Sequence, residues 1–354
     1  MKKLLVYPFN MDLIPLIRYK NQLVDFDDVI PVAEGGIIDE INGKEISHFD
    51  GGIKTNTYIT TDFKSALKYA DTVFLSKGIK NIERAHELID LVLERGISLL
   101  VSEVAIDELK LEGQGYQVMS YTSYDASVSS VRMSDIVKQI NVPTIMITGQ
   151  GPYCNKFDIQ LKVRRKFEER GYKVSQIATK EYSPLFGIHA LPNHTGSPLW
   201  KKVILYNCLF RDVVKNEQPD VLIVGVPGGT MPIDRYNHEL YGETAISIAK
   251  GLEPDLTVHS TYLMDFSYDY LSNMKEYSRY SEYVLGGVVD YFHVSNVALV
   301  FEQDMKTISF LETDSSAVLG EMRGMEKIFN VFDDKSDGIY SMIIEQLQNN
   351  IEII

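Results

Sequence analysis

The chain has 354 residues, with 49 Asp and Glu against 35 Lys and Arg, a formal charge of −14. Hydrophobic residues make up 45 % and charged residues 24 %, enough apolar surface to offset the entropy of folding and to exclude disorder as the main state. So acidic a field repels nucleic acid and anionic membrane, and at roughly 150 residues per domain the length argues for two domains.

The opening, MKKLLVYPFNMDL, has the basic head of a signal peptide, but its apolar stretch covers only Leu4 to Phe9 and no small-residue cleavage site follows. It reads as the first β-strand of a cytoplasmic protein. No apolar run reaches the ~18 residues needed to span a bilayer. Residues 4–8, 29–32, 72–76 and 98–102 are continuous apolar runs, as expected of strands buried on both faces. Between the last two, Ile82, Ala85, Leu88, Ile89, Val92 and Leu93 recur at steps of three and four, which predicts an amphipathic helix over 82–95. Gly96 stands where a left-handed C-cap is expected. Strand, helix and strand in this order imply parallel pairing, hence an N-terminal Rossmann-like α/β domain over 1–140. The glycine pairs in 35–57 suggest hairpins or a surface excursion, and the Ser- and Tyr-rich stretch 116–134 suggests the interdomain connection.

A second alternating pattern fills 141–354. Strands are expected at 142–148, 173–179, 220–226, 256–263, 292–301 and 307–311, and helices at 156–170, 200–215, 243–250 and 268–283, with two more helices closing the chain. Tyr268, Tyr270, Tyr277, Tyr280 and Tyr283 form a stripe expected in the core or on a dimer surface. Cys154 and Cys208 are the only cysteines, which leaves no disulfide framework and no repeated C-x-x-C metal signature.

The strongest local signal is Thr148-Gly149-Gln150-Gly151-Pro152-Tyr153-Cys154-Asn155-Lys156-Phe157-Asp158. A strand, a glycine turn, a lysine and a helix make a phosphate cradle, in which backbone N–H groups and the helix dipole converge on one concavity. The common motif is G-x-x-x-x-G-K-[ST]. Here Gly149 lies seven positions before Lys156, one more than the motif has. Asn155 replaces the second glycine, and Phe157 the metal-binding hydroxyl. The plainer alternative is a βα turn with a solvated lysine. Phosphate-loop enzymes also need a carboxylate at the end of a second strand. That strand ends Val224-Gly225-Val226-Pro227-Gly228-Gly229, with Asp220 at its far end.

These residues resemble a family. The turn 149–156 and the Pro227-Gly228-Gly229 segment are similar to the dethiobiotin-synthetase-like branch of P-loop proteins, whose turn reads V-E-G-x-G-G. Joined to an N-terminal Rossmann-like domain, the layout resembles an uncharacterised bacterial family. Some members of that family are reported as acyl-CoA-dependent N-acetyltransferases acting on D-amino acids. Over the whole chain the sequence looks most like the clostridial peptide-maturation-system proteins. Those are encoded near a radical-SAM enzyme, an acyl-carrier-like protein and a short precursor peptide. The resemblance implies maturation of a ribosomally made peptide, with Gly149, Gln150, Gly151, Asn155, Lys156, Asp158, Gly228 and Gly229 holding a phosphate-bearing ligand. CoA or acyl-CoA is favoured as that ligand, with ATP and magnesium second. The precursor peptide and a carrier-like protein are the expected partners, and a homodimer is left open.

For chemistry, Lys180 follows a strand where ligand loops gather, and His189 and His194 could act as bases there. Cys154, at a helix N-terminus, is a candidate acyl acceptor. The loops after Pro8 and Ser76 are the first domain's expected share of a ligand crevice, without a G-x-G-x-x-G fingerprint for a dinucleotide. Three readings follow: a CoA- or carrier-dependent acyltransferase, an ATP-dependent ligase or kinase with an altered metal site, or a peptide-binding scaffold.

Overall fold

The computed structural model describes residues 1–34, 42–49, 54–111, 115–119, 131–192, 194, 196–264, 268–302, 304, 306–314 and 326–352. The chain divides into two compact units. The first is Met1–Ser123 with Lys180–Ala190, and the second is Tyr124–Thr179 with Leu191–Ile354. This differs from a single cut at 140. Lys138 N donates to Asn207 Oδ1 at 2.9 Å and Asn207 Nδ2 returns to Lys138 O at 2.8 Å, which ties the stretch before 141 to the second unit.

In the first unit the order along the chain is β1 (Lys3–Tyr7), α1 (Ile14–Arg18), β2 (Asp28–Pro31), α2 (Phe63–Ala66), β3 (Thr72–Leu75), α3 (Ile82–Glu94), β4 (Ser98–Ser102), α4 (Glu103–Leu109) and β5 (Gln117–Met119). All five strands are parallel, in the order β2-β1-β3-β4-β5. This is a doubly wound α/β sheet whose strand order reverses between β1 and β3. Helix α3 forms as its spacing requires: Ala85, Leu88, Ile89 and Val92 are buried, Asn81 accepts from Arg84 N as N-cap, and Gly96 ends it at φ +66°. One expectation needs correction. The stretch 116–134 is not wholly a connection, because Gln117–Met119 pairs with β4, whose free edge supplies the backbone partners that composition could not reveal. Of the glycine pairs in 35–57, Gly35-Gly36 and Gly51-Gly52 lie outside the described residues, while Glu45 bridges Tyr58 in antiparallel fashion and Gly43 adopts φ +76°.

The second unit runs β6 (Thr144–Gly149), α5 (Lys156–Glu169) and β7 (Val174–Ala178). After β8 (His189–Ala190), which belongs to the first unit, it continues with α6 (Leu199–Glu217), β9 (Val221–Gly225), α7 (Glu243–Leu252) and β10 (Leu256–Leu263). It ends with α8 (Tyr268–Val284), β11 (Tyr291–Phe301), β12 (Ile308–Glu312), β13 (Ile328–Phe329) and α9 (Asp337–Glu352). Strands β11-β10-β6-β9-β7 are parallel in that order, and β12 adds an antiparallel edge to β11. Successive side chains of β6 serve opposite faces. Ile145 and Ile147 pack with Ile159 and Val163 of α5 and Ile343 of α9. Met146 packs instead with Leu209 and Phe210 of α6 and Ile248 of α7. Of the two closing helices expected, α9 is the one among the described residues, and 315–325 lie outside them. Among the described residues no helix is long and apolar enough to cross a membrane.

Candidate functional site

The turn between β6 and α5 is the site's centre, and it is closed around glycines where a side chain would not fit. A Cβ on Gly149 would meet Cys154 Sγ at 2.5 Å, and one on Gly151 would collide with the Tyr262 hydroxyl. Asn155 takes the left-handed conformation, φ 58°, that the motif's second glycine would hold, and its Oδ1 accepts from Ser295 Oγ at 2.6 Å. Asparagine tolerates this region better than most residues, so the substitution keeps the backbone path. Gln150 N donates to Ser260 O at 2.9 Å, which anchors the turn to β10. Among the described residues no acceptor pairs with the amides of Gly151, Tyr153, Cys154 and Asn155. They cluster at the N-terminal end of α5, a helix of 14 residues. Its dipole favours an anion there.

Lys156 opens α5, and its Nζ donates to Gly151 O at 2.7 Å and to Gly228 O. The lysine therefore links the turn to the Pro227-Gly228-Gly229 segment after β9. Gly228 adopts φ +60°, and Gly229 sits so close to Gln150 O that a Cβ could not be accommodated. Gly229 N donates to Glu239 Oε2 at 2.8 Å. Glu239, Leu240 and Tyr241 all have positive φ, 45°, 50° and 55°. Such backbone costs roughly 1–2 kcal/mol per residue with an L side chain.

The end of β9 carries no carboxylate, and the Gln160 side chain occupies the space beside Gly225. A Cβ on Gly225 would collide with the Gln160 amide, and Gln160 Nε2 bonds Lys156 O at 3.3 Å. Asp220, at the other end of the strand, accepts from Lys173 N at 2.7 Å. Asp158 is buried in the first turn of α5, and its Oδ2 accepts from Asn155 Nδ2 at 3.4 Å.

Beneath the turn lies a buried polar layer that sequence reasoning missed. Thr148 Oγ1 meets His259 Nδ1 at 2.9 Å, and Ser260 Oγ meets His293 Nδ1 at 2.8 Å while also donating to Cys154 O. Burial, then the Lys156 charge, holds His259 well below the usual imidazole range. Burial pushes His293 down to about 3. Both rings are therefore neutral at pH 7. His259 stacks on Tyr277, centroids 3.9 Å apart, and Tyr277 and Tyr280 donate to Thr230 Oγ1 and O at 2.7 and 3.0 Å. The tyrosine stripe thus divides: Tyr270 is core, Tyr277 and Tyr280 support the site, and Tyr283 is 83 % exposed. The side chain of Tyr268 lies outside the described residues. A signal existed for this layer, since the polar run His259-Ser260-Thr261 sits in a strand buried along nearly its whole length.

The remaining candidates separate. Cys154 is 1 % exposed, with Sγ donating to Gly151 O at 3.1 Å, so it is enclosed by the turn rather than presented to a thioester. The dipole argument placed it at the helix end but could not see that its side chain points into the turn's own packing. Lys180 pairs with Asp12, which also faces Lys77 Nζ at 3.4 Å, and all three belong to the first unit with His189. Ser76 Oγ donates to Glu181 in the same unit. His194 packs against Tyr206, ring centroids 5.2 Å apart. No group of three or more His, Cys, Asp or Glu that could hold a metal occurs among the described residues.

No family model matches the chain, and no curated protein does. Among solved structures, a DUF1611 family protein from Anabaena variabilis aligns over 98 % of this chain and 100 % of its own, with TM-score 0.61 and 11 % identity. A nucleotide-binding protein from Archaeoglobus fulgidus in complex with ADP aligns over 56 % of this chain and 85 % of its own, with TM-score 0.31 and 12 % identity. A GTPase from Pyrococcus abyssi covers 56 % of this chain and 83 % of its own, with TM-score 0.27 and 13 % identity. The first likeness extends to the fold of nearly the whole chain, and the β6-turn-α5 geometry makes the second unit P-loop-like.

Proposed function

We propose that the second unit binds a phosphate-bearing ligand at the turn 149–156, and that this ligand is CoA, an acyl-CoA or the phosphopantetheine of a carrier protein. The supporting observation is the pairing of four open turn amides and Lys156 with a β9 end that Gln160 fills. Backbone amides and a lysine suffice to hold a pyrophosphate, whereas a magnesium-bound triphosphate needs a carboxylate at that strand end. The chemistry proposed is acyl transfer to a ribosomally made peptide, with that peptide and a carrier-like protein as partners. The resemblance of the sequence supports this wider role. A second reading, an ATP-dependent ligase or kinase, draws on Asp158, a buried carboxylate beside the turn.

Calorimetric titration of the full chain with CoA, acetyl-CoA and ATP, with and without EDTA, separates them. The expected result is CoA binding that EDTA leaves unchanged. Binding of ATP alone, abolished by EDTA, overturns the CoA reading. Absence of binding by all three overturns the phosphate reading and leaves the scaffold. The peptide role is tested by titrating a precursor peptide from a neighbouring gene, with no binding as the result against it.

A further inference from the structure

Glu239 is a carboxylate placed where an anion-binding turn would otherwise meet its ligand. Its Oε2 takes the Gly229 N–H at 2.8 Å. The same short segment offers Gly228 O to Lys156 Nζ and packs Gly229 against Gln150 O. One face of the 228–229 turn therefore touches the phosphate turn and its lysine, while its amide is already occupied by a negative group. The placement is enforced locally. Residues 239–241 hold three consecutive positive φ angles, and Leu240 N donates to His238 Nδ1 at 3.1 Å. The His238 and Tyr241 rings stack at 5.2 Å, and Gly242 lies too close to Thr230 O to carry a Cβ. Non-glycine residues persist in that conformation only where the surroundings over-determine them, and such sites cluster at ligand clamps.

From this we propose that Glu239 is a specificity-determining residue of the phosphate site: it admits a diphosphate and turns away a triphosphate. The inference rests on the phosphate reading of the turn 149–156 and names the ligand class within it. A phosphate chain seated on the amides of Gly151 and Tyr153 to Asn155 and reaching Lys156 ends beside the 228–229 turn. A third phosphate would compete for the Gly229 N–H and meet a fixed like charge, and like charges placed together at an interface are strongly disfavoured. A diphosphate, free or within CoA, stops short of that carboxylate.

The test measures ADP and ATP binding to the full chain by calorimetry in EDTA, for the native protein, Glu239→Gln and Glu239→Ala. The native protein should bind ADP tighter than ATP by roughly tenfold or more. Both variants should bring the ratio close to one by strengthening ATP, with ADP affinity within about twofold of native. Equal affinities in the native protein, or a ratio unchanged in both variants, would overturn the proposal. Thermal melting of the variants checks that the fold survives. A native protein that binds neither ADP nor CoA overturns the phosphate reading itself, an outcome distinct from ADP binding without discrimination.

Discussion

The turns that leave β1 and β6 occupy equivalent places, each at the exit of a parallel strand inside its sheet, and they are built in opposite ways. After β1, side chains and neighbouring strands satisfy the backbone. Phe9 N donates to Val32 O at 2.8 Å, Asn10 Oδ1 accepts from Asp12 N at 2.9 Å, and Tyr182 donates to Asp12 O at 2.8 Å. The charges there are paired internally, as Lys77 and Lys180 both face Asp12. After β6, glycines keep side chains away, amides stay open, and Lys156 reaches carbonyl oxygens of two separate turns. One exit is a closed polar knot, and the other leaves backbone amides open around a lysine. The difference lies in which groups the local residues leave unsatisfied, not in the strand topology.

Acid separates the two regions most strongly. Buried His259 and His293 bind protons in the unfolded chain that they refuse when folded. Their contribution to the second unit is whole above about pH 6.5 and is lost as pH falls toward the depressed folded values. The loss approaches ~1.4 kcal/mol per pH unit for each ring. For Asp12, burial alone would raise the carboxyl, but Lys180 and then Lys77 outweigh it and hold it below the ordinary range. Its contribution is whole above about pH 4 and declines only as pH falls through the folded value. Urea unfolding followed through Trp200, the single tryptophan, which lies in α6, should therefore weaken between pH 7 and 5. A His259→Asn/His293→Gln double variant that weakened equally would remove the histidine account.

A smaller effect concerns the β6 turn itself. Lys156→Ala should lower affinity for CoA by ~1.5–3 kcal/mol, the size of a charge-assisted hydrogen bond. An unchanged dissociation constant would make the β6 turn no more a ligand site than the β1 turn. Gly151→Ala should cost the second unit ~1–3 kcal/mol by overpacking against the Tyr262 hydroxyl, read as a lower urea midpoint. Wild-type stability in that variant would show that Tyr262 yields freely. The smallest change runs the other way. Leu240→Gly should stabilise by about 0.5–1 kcal/mol, because glycine accepts the positive φ of this exposed position without strain. A loss of stability there would mean that the leucine side chain contributes more than its backbone costs.

The alternating elements were legible because apolar spacing is a local property. The periodicity expected over 82–95 appears as Ile82–Glu94, and the strand expected at 256–263 appears as Leu256–Leu263. Asn155 was legible too, since its tolerance of left-handed backbone follows from its own side chain. Less visible was β5, whose three residues become a strand only through the edge of β4. Equally invisible was the enclosure of the Cys154 thiol, since position at a helix end says nothing of whether it points outward.

By itself, then, the amino-acid sequence determined the α/β class, the glycine turn with its lysine, and the lack of a carboxylate at the end of β9. Each depends on residues within one short window. Only the tertiary structure decided that Gln160 occupies the space beside Gly225, that two neutral histidines lie under the turn, and that Glu239 takes the Gly229 amide. Those contacts join residues tens of positions or more apart, or depend on a backbone conformation that no spacing rule announces. Burial and chain folding, not composition, bring them within hydrogen-bond reach.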